Sequence, residues 1–114
     1  MYVYNGKVIR VIDGDSVWLE VDVGFHMSYK YNFRLGGINT PELRSSDPVE
    51  KAKAYEAKAR LKELLPVGGQ VVVETGKPGK YGRWIAEIII SDGHGGPGFS
   101  VNAILLDEGH AVPY

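Results

Sequence analysis

Phe33-Arg34-Leu35-Gly36-Gly37-Ile38-Asn39-Thr40-Pro41-Glu42 reads as the end of a strand running into a bent, chemically loaded segment. Upstream, Tyr29, Tyr31, Phe33 and Leu35 alternate with polar partners, the period of a strand with one buried face. Gly36 and Gly37 free the backbone to turn, and Pro41 restricts it again. Such a bend can aim several side chains at one point. Here they are a guanidinium, a carboxamide, a hydroxyl and a carboxylate. Arginine clamps phosphate bidentately, and a carboxylate activates water or holds a metal. These are parts of a phosphodiester-cleaving site.

Working outward, Val3 to Ile12 is rich in valine, isoleucine and tyrosine and reads as a first strand. Asp13-Gly14-Asp15 turns it into a second, Ser16 to Val23, with a connection from Gly24 to Ser28 before the strand already described. Val49 to Leu65 is a helix: Pro48 precedes it, Asp47 or Ser46 can cap it, and Ala54, Ala57, Leu61, Leu64 and Leu65 recur at helical spacing. Pro66 and Gly68-Gly69 stop it. Val71 to Val73 is a short buried strand and Trp84 to Ile90 another. Ser100 opens a second helix through Glu108, which Gly109 ends. Three strands, a helix, two strands and a helix describe an all-β barrel with helices, of α+β type. The expected architecture is a five-stranded Greek-key barrel of the OB type in one domain, residues 1–114, with the 24–28 and 93–98 loops as barrel corners.

A chain of 114 residues, 44% hydrophobic and 24% charged, has the composition of one folded domain. It has no cysteine, hence no disulfide framework and no thiolate zinc site. No apolar run approaches the ~20 residues of a membrane span. Met1 to Gly6 lacks the basic and apolar regions of a signal peptide. The expectation is a cytoplasmic monomer without membrane contact; a trimmed secreted domain would read the same. The net charge of -1 and pI near 6.3 argue against holding polyanions by bulk charge. A local cluster of Arg34, Lys77, Lys80 and Arg83 must then hold phosphate. So small a cleft suits an unpaired or frayed strand, with bases stacking on Tyr81.

Three separated motifs stand in register: Val11-Ile12-Asp13-Gly14-Asp15-Ser16, then Phe33-Arg34-Leu35 with Thr40-Pro41-Glu42, then Lys80-Tyr81-Gly82-Arg83. Together with Ser100-Val101-Asn102 to Glu108-Gly109, they resemble the staphylococcal nuclease-like (thermonuclease) family over essentially the whole chain. The resemblance implies a calcium-dependent phosphodiesterase acting on DNA and RNA with little sequence preference. It implies calcium ligands at Asp15, position 39 and the backbone carbonyl of Thr40. Glu42 is implied as the base that activates water, Arg34 and Arg83 as stabilisers of the phosphorane, and Lys80 and Tyr81 as contacts to the substrate phosphate. Tyr114 lies near, though out of register with, a substrate-contacting tyrosine of the family.

One departure is pointed. Where the family has a second metal-binding aspartate, this chain has Asn39. Asparagine keeps a coordinating oxygen and loses a charge, which lowers expected calcium affinity. The outcome is an active enzyme with weaker metal binding, another metal preference, or a lapsed site. The rival to a nuclease is therefore an OB module that binds nucleic acid without cutting it, and a weaker third reading is a protein-interaction domain. Other residues have plainer readings. Tyr2, Tyr4, Tyr29, Tyr31 and Phe33 could stack on bases but fit core or surface packing; Trp18 and Trp84 fit core or cross-strand contacts. His26, His94 and His110 have no ligand spacing, and the helix charges from Glu50 to Glu63 read as a solvated face.

Overall fold

The computed structural model describes residues 2–78 and 84–114. Lys80, Tyr81 and Arg83 lie outside the described residues, as does the side chain of Lys77. The strands are β1 (Tyr2–Asp13), β2 (Ser16–Gly24), β3 (Met27–Leu35), β4 (Ile38–Asn39), β5 (Gln70–Pro78), β6 (Trp84–Ile90), β7 (Phe99–Ser100) and β8 (Val112–Pro113). The helices are α1 (Pro48–Leu64) and α2 (Val101–Asp107).

The sheet runs β3-β2-β1-β5-β6-β7, and a parallel β3–β6 pairing closes its five long strands into a mixed barrel. Closure is brief: Phe33, Arg34 and Leu35 face Trp84, Ile85 and Ala86. The barrel and its two helices are the OB-type α+β architecture expected from the sequence. Val8, Val17, Leu19, Phe33, Leu35, Val73 and Ile88 fill the interior, joined by Leu61 and Leu65 of α1 and its cap and by Val101 and Leu105 of α2.

Local chemistry explains the element ends. Asp47 caps α1, its carboxylate accepting from the Val49 N–H at 3.0 Å, and Pro48 takes the first helical turn where no N–H is needed. Ser100 caps α2 by accepting from the Ala103 N–H at 3.2 Å. At the β1–β2 turn the Asp15 N–H donates to the Asp13 carboxylate at 3.2 Å. Gly14 is required there by space: a Cβ would sit 2.8 Å from the Ala57 methyl and 2.9 Å from the Thr40 hydroxyl. This turn is thus pressed between α1 and the segment after β4.

Three features depart from the sequence expectation. β5 is much longer than Val71 to Val73 because it pairs along both edges, with β1 and with β6. β4, β7 and β8 are each two residues long, too short for any periodic signal. The buried face of β3 extends only halfway. Phe33 and Leu35 are buried, whereas Tyr29 and Tyr31 are 46% and 39% exposed.

Candidate active site

Arg34 is the hub. It leaves β3 on the face opposite Phe33 and Leu35, and its side chain is only 17% exposed. Nη1 donates to the carbonyls of Leu35 and Ile38 at 3.1 and 3.2 Å. Nη2 donates to Asn39 Oδ1 at 3.1 Å and lies 3.5 Å from Asp15 Oδ2. The Tyr114 ring covers the guanidinium, with its centroid 5.0 Å from Cζ. A cation over the ring face is the placement a ring quadrupole favours.

Each partner arrives by a different route. Asp15 comes from the β1–β2 turn; its backbone carbonyl accepts from the Leu35 N–H at 2.8 Å and its Oδ2 from the Thr40 N–H at 3.3 Å. Asn39 sits in β4, which pairs with β8 through Ile38–Pro113 and Asn39–Val112. The same pairing, with a Tyr114 N–H bond to the Gly37 carbonyl at 3.0 Å, carries Tyr114 over Arg34. Thr40 is buried, while Glu42 is exposed on the bend beyond Pro41. The Ser45 N–H bonds back to the Glu42 carbonyl at 3.2 Å and tightens that bend.

Asp15, Arg34, Asn39, Thr40 and Tyr114 therefore converge, and Glu42 follows closely in the chain. Lys80, Tyr81 and Arg83 lie outside the described residues. Beside the cluster is a cleft of about 350 Å³ lined by Asn39, Thr40, Pro41, Glu50, Lys53 and His110, among others.

Sequence reasoning missed the importance of Asn102. It is 4% exposed and makes three hydrogen bonds. Nδ2 donates to the carbonyls of Gly36 and Ala86 at 2.9 and 3.1 Å, and Oδ1 accepts from the Ile88 N–H at 3.2 Å. One side chain thus ties α2 to β6 and to the turn that follows Arg34. The available signal was a polar residue on the apolar face of a short helix, next to buried Val101.

The profile of the staphylococcal nuclease homologue family matches residues 32–114, which include all of this cluster except Asp15. The chain belongs to the staphylococcal nuclease family. It is 32% identical to an uncharacterized protein of Methanocaldococcus jannaschii, with 97% of this chain and 59% of that protein aligned. It is 30% identical to endonuclease YhcR of Bacillus subtilis, over 97% of this chain and 9% of that protein. This staphylococcal nuclease homologue thus spans somewhat over half of one relative and a small part of the other.

The residues expected to face a metal offer only oxygen: a carboxylate at Asp15, an amide at Asn39 and the Thr40 carbonyl. In kind this donor set fits a hard cation such as calcium. In charge it is lean. Among the described residues, no three His, Cys, Asp or Glu side chains gather as a metal cluster. Asn39 Oδ1, moreover, already accepts from Arg34.

Proposed function

We propose that this chain is a metal-dependent nuclease that hydrolyses phosphodiester bonds in DNA and RNA with little sequence preference. Family membership and the endonuclease relative support the nuclease reading. The observation that carries it to particular residues is the hub: a guanidinium held between Asp15, Asn39 and Tyr114 at the edge of an open bend bearing Glu42.

Arg34 has more N–H donors than its acceptors use, so it can also grip a phosphate oxygen. Because its geometry is fixed beforehand, it need not reorganise as negative charge grows on the phosphorus-bound oxygens. Glu42, exposed to solvent, takes the proton of the attacking water. The water oxygen bonds to phosphorus, the opposite P–O ester bond breaks, and the leaving oxygen takes its proton from solvent water. Asp15, Asn39 and the Thr40 carbonyl would hold calcium, which supplies charge neutralisation at phosphate. Arg83 would provide the second guanidinium, with Lys80, Tyr81 and Tyr114 contacting substrate.

A second reading, a nucleic-acid-binding module without cleavage, is favoured by one observation: Arg34 already occupies the amide oxygen of Asn39, which stands where a second carboxylate would be expected. Labelled single- and double-stranded DNA and RNA, incubated with calcium and then with chelator, separate the two. The nuclease reading expects calcium-dependent cleavage, faster on unpaired or frayed strands than on duplex. It also expects a shallow salt slope of about two to four released counterions. Binding without cleavage under every divalent cation would support the module.

A further inference from the structure

We propose that the open end of the barrel is a second subsite, which stacks an unpaired base of a strand whose phosphate lies at Arg34; this rests on the nuclease reading above. The pocket there has a volume of about 240 Å³ and is walled by Tyr2, Tyr4, Tyr29, Tyr31, Phe33 and Trp84. Phe33 forms its buried floor, while Tyr2, Tyr29 and Tyr31 are 63%, 46% and 39% exposed. The rings are organised rather than scattered. Tyr29 and Tyr31 lie 5.8 Å apart, Tyr31 meets Trp84 nearly edge-on at 6.3 Å, and Tyr2 stacks on Tyr4 at 6.4 Å.

The chemistry selects the occupant. Among the described residues, none that lines the pocket is charged, so it offers nothing to an ion. It offers aromatic rings, four of them tyrosines with polar hydroxyls, which suit a planar heterocycle with polar edges. Its volume falls below the ~300 Å³ at which pockets for drug-sized molecules begin, and matches a group of about one base.

Continuity with the site comes from β3. Its pairing with β6 covers Phe33–Leu35, which leaves Met27–Asn32 as a free edge among the described residues. Across that edge the side chains alternate. Tyr29, Tyr31 and Phe33 face the pocket, while Lys30, Asn32 and Arg34 lie on the opposite face, Lys30 exposed and Asn32 bonded to Ser16. A strand laid over the edge places its phosphates on the Lys30–Arg34 side and its bases on the tyrosine side. Tyr31 and Arg34 are three residues apart, about 10 Å at the usual strand rise, a short step along a nucleic-acid backbone. A duplex keeps its bases inside its own stack and cannot enter. The pocket thus adds a reason for unpaired substrate that is separate from cleft size.

The test uses the whole chain with chelator present, so that binding is read without turnover. The probes are a fluorescent oligothymidine and an abasic strand of equal length. Tyr29→Leu and Tyr31→Leu keep apolar bulk and remove the π-face. Each should weaken oligothymidine binding about tenfold and leave the abasic strand unchanged. In Trp18→Phe, where Trp84 is the remaining tryptophan, oligothymidine should quench the indole and the abasic strand should not. Equal affinity of the leucine variants for oligothymidine, or an unquenched Trp84, overturns the subsite. A dimer of the unaltered chain that the leucine variants dissolve, with strand binding intact, also overturns it and gives the pocket to a second copy. Cleavage by the unaltered chain with calcium is measured separately, so the nuclease reading can stand when the subsite falls.

Discussion

The two ends of β3 are opposites. At its C-terminal end the polar groups are committed to one another: Arg34, largely covered, is shared among Asp15, the Leu35 and Ile38 carbonyls and the more exposed Asn39 and Tyr114. At its N-terminal end Tyr29 and Tyr31 stand in solvent beside a neutral pocket, against little but other rings. The first end is preorganised, because its geometry is over-determined by bonds arriving from four segments. The second is adaptable, since ring contacts are broad and carry no fixed partner geometry. The nuclease proposed above would need both: rigidity where charge develops, tolerance where bases differ.

The sharpest way to break the contrast is at the rigid end. Arg34→Ala and Glu42→Ala should each lower kcat by at least about a hundredfold, since a fixed guanidinium facing developing charge and a general base each carry about that much. Circular dichroism should show the barrel intact. Wild-type cleavage by Glu42→Ala at saturating calcium would remove that residue from the mechanism.

Next in size is the support beneath it. Asn102→Ala strands the Gly36 and Ala86 carbonyls and the Ile88 N–H. With unmet buried groups costing about 1–3 kcal/mol each, and partial rescue by water, a stability loss of about 2–4 kcal/mol is expected in urea unfolding. An unchanged midpoint would mean that α2 docks without it.

A smaller change sharpens the contrast instead. Asn39→Asp adds a charge where the cluster is lean, and calcium should bind about 1 kcal/mol more tightly by calorimetry. Equal or weaker binding would show that the new carboxylate stays with Arg34 and position 39 does not serve the ion.

The smallest effect lies between the helices. Arg60 grips Glu108 through two hydrogen bonds of 2.6 and 2.9 Å, and this holds the Glu108 carboxyl below its usual range. A carboxyl depressed in the folded state contributes stability above its unfolded pKa and loses it as pH falls through the folded value. Melting temperature should therefore drop slightly more in acid, below the ordinary glutamate range, for the native chain than for Glu108→Gln. Parallel pH curves would leave the pair without consequence.

Most of the barrel was legible because its signals are local. Valine, isoleucine and tyrosine content marks β1, alternation marks β2 and β3, Asp47 and Ser100 announce their helices, and Asp13-Gly14-Asp15 marks its turn. What escaped was long-range. β4 and β8 are two residues each and exist only because they meet. Tyr114 is placed over Arg34 by that meeting, which no spacing in sequence encodes. Alternation shows that Tyr29 and Tyr31 share a face with Phe33, but not whether anything covers that face. The helix charges also read as merely solvated, yet Arg60 reaches across to α2.

Arg34 has one more consequence. Through this single side chain, the turn at residue 15, the end of β3, the bend at 38–40 and the segment 112–114 share one fastening. Segments so joined should open together. The amide of Tyr114, tied to Gly37, and that of Thr40, tied to Asp15, thereby belong to one cooperative unit. The charge that would meet the phosphate is also the latch that sets how often this corner of the barrel breathes.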